Sequence, residues 1–311
     1  MTDRIELIRL LSKPLQKEAA LRLALVVERT GSAPCTVGDL LLLDHNNKMN
    51  GTVGGGRLEQ QVLEDLHRLA PDQAGQLRRF NLVPEQDGMT CGGAVTVLLA
   101  RLTEAARTCF ASLNRCLQQG QPARLQVAVD TDGHVTWLGP DQVVAGGQLF
   151  EIGVAPPPAL LLFGAGHIAQ VLAPMARLAG FVVTVLDDRT DYLADHPYGQ
   201  GIAVVELDCF EHALADREVD ANSFLLIATY SHTHDLTVLA QALDTGAGYI
   251  GMVGSRRKRE ELFGQLRQTG FSETDLARVR CPVGLAIKAE TPAEIAVSIL
   301  AEMIALRRGR Q

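Results

Sequence analysis

The sequence predicts an α/β protein of two domains, the second a doubly wound parallel sheet and the first a separate, glycine-rich α/β domain. Three observations carry that expectation. Residues 160–189, LLLFGAGHIAQVLAPMARLAGFVVTVLDDR, pass from an apolar run through a glycine turn and a helix-like segment to a β-branched run that ends in acids. The segments AVVELD, FLLIATY, GYIGMVGS and AIKAE then recur as short strand candidates between helical or loop stretches, the alternation expected of parallel strands with crossovers. A length of 311 residues, 47% of them hydrophobic, suffices for two packed cores.

The thirty-residue stretch has the form of a dinucleotide-binding βαβ unit, which makes the second domain Rossmann-type. Gly164 permits the tight turn, and Gly166 lets backbone approach a pyrophosphate at a helix N-terminus whose N–H groups are unpaired. Ala169 stands at the third glycine position, and Asp187, 21 residues past Gly166, holds the place of an acid that meets a ribose hydroxyl. His167, inside the turn, faces the ligand side. The last helix is announced by Thr291 and Glu294 as a capping box around Pro292, with apolar positions through Ile304.

The first half reads as a different architecture. Residues 1–12 suggest an amphipathic helix, with Ile5, Ile8 and Leu11 at helical spacing. ALRLALVVERT is a buried strand, GSAPCTVGD a loop, and LLLLDHNNKMNGTVGG a hairpin turning at His45–Asn50. GGGRLEQQVLEDLHRLA passes from three glycines into a helix bearing Leu58, Val62, Leu66 and Leu69. RRFNLVPEQDGMTCGGAVTVLLARL places a polar turn before a strand, and TEAARTCFASLNRCLQQG is a helix ended by Gly120. LQVAVD and HVTWLG are two strands joined at Thr131–Gly133. Pro156–Pro158 suit an extended connector, so the domains are expected at 1–155 and 156–311.

A net charge of −7 argues against a general nucleic-acid or membrane-surface binder. No apolar run approaches the roughly 18 residues of a membrane span, and the charged N-terminal stretch is not a secretory leader. Cys35, Cys91, Cys109, Cys116, Cys209 and Cys281 form no CxxC pair or disulfide-like framework, and read as reduced thiols of a cytoplasmic protein.

Four places could carry chemistry. Gly54, Gly55 and Gly56 lead into a helix and form either a second anion-binding turn or simply a tight connection. Cys91, followed by Gly92 and Gly93, sits where backbone can press against a ligand, although isolated cysteines are commonly small buried hydrophobes. Cys35 is the next thiol candidate. In Ser231-His232-Thr233-His234-Asp235, a loop beyond a strand, His232 and His234 could ligate a metal, move a proton, cap the loop or contact a polar ligand; the last is favoured. Ser255, Arg256 and Arg257 open a four-cation run at a strand end, which suits phosphate capture better than a plain solvated helix face.

Taken together, GSAP, GTVGGGRLE, CGGAVTVLL, LLLFGAGHIAQ, SHTHD, YIGMVGSRRKR and TPAEIAVSILAE resemble the XdhC/CoxI family, accessory proteins of xanthine dehydrogenase and related molybdenum hydroxylases. The resemblance covers both halves of the chain. It implies a chaperone-like protein that binds the molybdenum cofactor (molybdopterin), holds it for exchange of an oxo ligand for sulfur from a cysteine desulfurase, and delivers it to a molybdenum hydroxylase. By the same resemblance, Cys91 is the thiol nearest the molybdenum or its dithiolene, and Gly54–Gly56 with Gly92 and Gly93 supply close backbone contacts. Some members carry two adjacent cysteines where this chain has Thr90-Cys91. A soft thiolate suits a soft metal end, and glycine-lined helix starts suit a phosphate. No turnover chemistry is assigned. A homodimer would shelter such a labile ligand, and no residue specifies one.

Two rivals come from other classes. An NAD(P)-dependent oxidoreductase would use Gly164, Gly166 and Asp187 for its cofactor and His232 or His234 as proton donor, but no positioned Tyr/Lys pair supports it. A nucleotide-sensing regulator would fit the Rossmann half and leave the CGG and GGG turns unexplained.

Overall fold

The computed structural model describes residues 4–13, 21–70, 73–82, 92–139, 147–194 and 198–309. Backbone contacts divide the chain into two units, Met1–Pro156 and Pro157–Gln311. Cys91 lies outside the described residues.

The first unit runs α1 (Arg4–Leu11), β1 (Arg22–Thr30), β2 (Leu40–Leu43), β3 (Met49–Gly51), α2 (Gly56–Arg68), β4 (Gly75–Asn81), β5 (Ala94–Arg101), α3 (Glu104–Gln118), β6 (Ala123–Val129), β7 (Val135–Leu138) and β8 (Gln148–Val154). Five strands form an antiparallel sheet in the order β3-β2-β1-β5-β4, and β7-β6-β8 form a second one. Alternation along β1 covers the larger sheet on both faces. Leu23, Leu25 and Val27 join Phe110 of α3, Leu7 of α1 and Phe150 of β8, whereas Ala24 and Val26 join Leu58, Val62 and Leu66 of α2. The helix predicted from TEAARTCFASLNRCLQQG begins at a Thr103 cap, whose side chain accepts from Ala106 N. Strands β4 and β8 are additions to the elements expected from the sequence; β4 is largely polar, and β8 alternates between exposed and buried positions from Leu149 to Val154.

The second unit runs β9 (Ala159–Phe163), α4 (His167–Leu178), β10 (Val182–Asp187), α5 (Thr190–Ala194), β11 (Ala203–Glu206), a 3₁₀ turn at Phe210–His212, β12 (Ser223–Ile227), α6 (His232–Leu243), β13 (Tyr249–Met252), α7 (Arg256–Gln268), α8 (Glu273–Leu276), β14 (Val279–Arg280) and α9 (Pro292–Gly309). All six strands are parallel, in the order β11-β10-β9-β12-β13-β14. The chain therefore reverses its direction of travel across the sheet between β9 and β12, the switch point where doubly wound sheets bind ligands. Leu160, Leu162, Val183, Phe224 and Leu226 pack under α4 and α9 on one face, and Leu161, Phe163, Leu225 and Ile227 under α6 and α7 on the other. This fold is the predicted α/β class, with a Rossmann-type sheet in the second half.

One expected strand is absent. AIKAE forms no strand; β14 is Val279–Arg280, and the following segment turns away. Gly284 and Lys288 both take left-handed backbone, with φ of 98° and 59°, which a strand cannot accommodate. Leu285 is tied to the last helix instead: its N–H donates to Ser298 O at 3.2 Å and its carbonyl accepts from Ser298 Oγ at 2.8 Å. The predicted capping box is present, Thr291 N donating to Glu294 Oε2 at 3.0 Å and Glu294 N to Thr291 Oγ1 at 3.3 Å. Among the described residues no helix is long and apolar enough to cross a membrane.

The loops after β12 and β13 are fixed by one buried ion pair. Lys258 Nζ donates to Asp235 Oδ2 and, at 3.1 Å, to Val253 O. The other carboxylate oxygen accepts from Thr229 N at 3.1 Å and Thr229 Oγ1 at 2.8 Å. Asp235 is 1% exposed, so removing the cation strands a buried charge. Lys258→Met is expected to cost about 3–5 kcal/mol in denaturant unfolding. Adding Asp235→Asn, which removes the charge yet keeps an acceptor for Thr229, should restore part of that loss; a double variant as unstable as the single one would exclude this account.

Candidate functional site

The glycine turn after β9 lies at the switch point, and two of its glycines behave differently. Gly164 has φ of 110°, and its N–H donates to Leu186 O at 2.7 Å. A Cβ there would lie 2.2 Å from Ala228 O, so packing between neighbouring strand ends alone demands glycine. Gly166 caps α4 with φ of −73° and supplies no side-chain cap. A Cβ on it would meet nothing within 4 Å. The start of α4 thus combines room beside Gly166 with the absence of a side-chain cap, features that suit an anion. His167, the first helical residue, is exposed at the same place.

Asp187 ends β10 and is fully buried. Its Oδ2 accepts from Ala165 N at 2.6 Å and Arg189 Nη2 at 2.8 Å, and its Oδ1 accepts from Arg189 N at 3.0 Å and Arg189 Nε at 2.8 Å. Burial acts to raise the carboxyl pKa, but the Arg189 side chain together with the Ala165 and Arg189 amides outweighs it and holds the group below its ordinary 3.8. The acid that the spacing assigns to a ribose is therefore engaged within the protein. Beside it, Asp188 Oδ1 is shielded from solvent without a hydrogen-bond partner, and Asp188 Oδ2 accepts from Tyr230 Oη at 3.0 Å.

The histidine motif is helical, which corrects the expected loop. Ser231 caps α6 by accepting from Thr233 N at 3.2 Å, because a serine side chain satisfies an unpaired first-turn donor. His232 is exposed at the first position of the helix. His234 packs inward, its ring centroid 4.9 Å from those of both Phe210 and Tyr230, with Nδ1 buried and without a hydrogen-bond partner. Two helical positions two residues apart diverge around the axis, and among the described residues these histidines join no third metal ligand. The cation run also divides. Ser255 caps α7, accepting from Lys258 N at 3.2 Å, and Arg256 and Arg257 are exposed. Lys258 turns in to Asp235, and Arg259 donates to Cys281 O at 3.2 Å and pairs with Glu260.

In the first unit, both glycine motifs pack on the loop that follows β1. Gly93 lies against that loop so closely that a Cβ would sit 2.4 Å from Thr30 O and from Ser32 O. Gly54 meets the same loop further on, where a Cβ would be 3.0 Å from Pro34 Cγ and 3.3 Å from Cys35 Cβ. Thr30, Gly31, Asn81, Leu82, Gly92, Gly93 and Ala94 line a groove at this end of the sheet. Gly55 and Gly56 open onto free space at the start of α2. Glu59 reaches back to hold that turn, accepting from Thr52 Oγ1 at 2.5 Å and Val53 N at 3.1 Å. Cys35 is buried, and burial first, then Asp39, pushes its thiol up to about 11 against the pull of Arg29.

The sequence pattern points to none of Thr52, Glu59 and Tyr192 as site residues; Arg189, which it leaves open to a 2′-phosphate, is folded onto Asp187 instead, and Tyr230 donates a hydrogen bond to Asp188. Thr52 and Glu59 carried a usable signal, an acceptor a few residues into a helix behind a threonine. The Arg189 cluster carried none, because its members meet only through the sheet order.

These features define an α/β protein with a Rossmann-type unit whose first helix start is open to an anion. Residues 160–303 match the XdhC Rossmann domain and residues 15–81 match the XdhC and CoxI family. The chain belongs to the XdhC/CoxI family. It is 27% identical to a Bacillus subtilis (strain 168) protein named as a probable xanthine dehydrogenase subunit, covering 94% of each chain. It is 26% identical to the molybdenum cofactor insertion chaperone PaoD of Escherichia coli (strain K12), over 92% of this chain and 83% of that one. YqeB of the same strain is 26% identical over 92% of this chain, which spans 43% of YqeB. The crystal structure of a protein from Bacillus halodurans described as a xanthine dehydrogenase shares the fold at a TM-score of 0.82, with 24% identity, covering 99% of this chain and 97% of that one.

The two turn glycines should respond oppositely to alanine. Gly164→Ala combines left-handed strain with a backbone clash and is expected to lose about 2–6 kcal/mol in denaturant unfolding, whereas Gly166→Ala should stay within about 0.5 kcal/mol. Equal losses at both would refute the assignment of only Gly164 to packing. For Asp187, a folded-state pKa below the unfolded value means that its stabilising contribution is complete above about 3.8 and fades as pH falls through the lower folded value. Arg189→Gln should therefore move the acid-unfolding midpoint, followed by circular dichroism from about pH 5 to 2, to higher pH.

Proposed function

We propose that this chain is a maturation factor that binds the molybdenum cofactor and delivers it to a molybdenum hydroxylase of the xanthine dehydrogenase type. The observation that carries the reading is similarity along 92% of the chain to a protein named as a molybdenum cofactor insertion chaperone. The site chemistry supports it. The open start of α4 at Gly166 and His167, with no side-chain cap, suits the phosphate of the cofactor, and exposed Arg256 and Arg257 near Ser255 add cationic charge on the same carboxyl edge of the sheet.

In the first unit, taken by itself, the family resemblance makes Cys91 the thiol that would contact the soft part of the cofactor, with Gly92, Gly93 and Gly54–Gly56 allowing close backbone approach. Open space above Gly55, Gly56 and Gly92 fits that assignment. A thiolate at position 91 would hold the soft metal or shield the dithiolene, while backbone N–H groups hold the polar parts. Of the polar groups around the Rossmann crevice, exposed His232 is available to a pterin, and His234 serves to support Tyr230. Sulfur for the oxo-to-sulfido exchange would come from a cysteine desulfurase docked on the loaded protein. A cytoplasmic setting belongs to this reading, since Cys35, Cys109, Cys116, Cys209 and Cys281 are unpaired.

The test is purification from a cofactor-producing host, followed by mass spectrometry, pterin fluorescence after oxidation and metal analysis. Wild type should carry pterin and molybdenum together, and Cys91→Ser should retain markedly less molybdenum per chain. A wild-type protein that neither retains nor accepts pterin would end the carrier reading. Normal retention by Cys91→Ser, with normal hydroxylase activation, would end the role given to the thiol alone.

A further inference from the structure

We infer that Arg189, Tyr192 and Tyr230 close the adenosine end of the Rossmann crevice, so that this unit rejects adenine dinucleotides. The inference concerns ligand selection and does not depend on the carrier role.

In a dinucleotide-binding unit the carboxylate at the end of the second strand receives the ribose hydroxyls, and the adenine lies beyond it. Here β10 is that strand and Asp187 that carboxylate. All four of its accepted hydrogen bonds come from the protein, two from the Arg189 guanidinium, one from the Arg189 amide and one from the Ala165 amide, at 2.6–3.0 Å. Asp187 is buried to 0% exposure. A ribose would have to displace a two-pronged, charge-assisted contact, the strongest kind of side-chain hydrogen bonding.

Arg189 is itself held. Its guanidinium carbon lies 3.8 Å from the centroid of the Tyr192 ring and 4.2 Å from that of Tyr230, so tyrosine faces cover it from α5 and from the loop after β12. The second tyrosine arrives from across the switch point. β10 and β12 flank β9, so Tyr230 must reach past the end of β9 to touch the residues after β10. It is fastened there by its hydroxyl, which donates to Asp188 Oδ2 at 3.0 Å, and braced by the His234 ring at 4.9 Å. The planar group stacked beside the strand end is thus an arginine of the chain, in the region where an adenine would lie. Gly166 is outside this cluster and keeps its open approach.

Titration of the full chain with NAD⁺ and with ADP-ribose, followed by calorimetry, tests the closure. Wild type should show no saturable binding below millimolar concentrations. Arg189→Ala frees Asp187 and should bind ADP-ribose at least tenfold more tightly than wild type. Tyr230→Ser, at a half-exposed position that leaves the Asp187–Arg189 pair in place, should give a smaller gain and serves if Arg189→Ala does not fold. Micromolar binding of either nucleotide by wild type would overturn the inference, and so would folded variants with no gain. Pterin retention is scored separately: a wild type lacking pterin but gaining ADP-ribose affinity on Arg189→Ala would sink the carrier role and leave the closure standing.

Discussion

The carboxyl edge of the parallel sheet depends on one device used twice, a buried carboxylate that satisfies a turn amide and pairs with a cation. Asp187 accepts from the amide of Ala165, after β9, and is neutralised by Arg189, after β10. Asp235 accepts from the amide of Thr229, after β12, and is neutralised by Lys258, from the helix after β13. Where strands end, backbone donors lose their sheet partners, and an unpaired donor shielded from water is costly. A buried carboxylate alone would exchange one penalty for a larger one, so each needs its cation. The four loops that form the crevice are consequently pinned in pairs on either side of the switch point.

That arrangement leaves Asp187 and Asp235 unsuited to general acid–base work. Both carboxylates are committed to neighbouring groups. His234 is committed as well, packed between Phe210 and Tyr230. What remains available on the second unit is mostly donor and cation: the open start of α4, exposed His232, Arg256 and Arg257. Donors and cations of this kind suit an anionic ligand. An oxidoreductase relying on His234 as proton donor would first have to break that aromatic packing.

Much of the architecture was legible because it rests on local signals. Apolar runs located β9, β10, β12 and β13, and the Thr291–Glu294 box located the last helix. The signal failed where tertiary contact overrides pattern. AIKAE has strand-like composition, yet the anchoring of Leu285 to Ser298 and the left-handed Lys288 turn it into a loop. The SHTHD segment looked like a loop because its polar residues hide a capped helix start. Of the site, the glycine turns were readable as turns, but the engagement of Asp187 was not. Arg189 lies two residues away in sequence, and nothing in that spacing distinguishes an arginine folded onto the carboxylate from one extended toward a phosphate. The tyrosines that decide the matter come from α5 and from the loop after β12.

The glycines separate packing from ligand demand more sharply than the motif does. Gly164 and Gly93 are explained by the protein alone, since a side chain at either would collide with neighbouring backbone. Gly166 and Gly92 have no such explanation: a Cβ at either position meets nothing within 4 Å, and neither adopts a left-handed φ. A glycine that neither sterics nor backbone conformation requires is tolerated at little cost in an N-cap or loop position, but its consequence is the same whatever its origin: bare backbone at the surface. At Gly166 that bare backbone is the start of a helix with no side-chain cap, where positive potential and free donors coincide. At Gly92 it borders the groove lined by Thr30, Gly31, Asn81 and Leu82. The motif's two glycines thus carry different meanings. Gly164 belongs to the sheet, and Gly166 is the one through which a ligand can be felt.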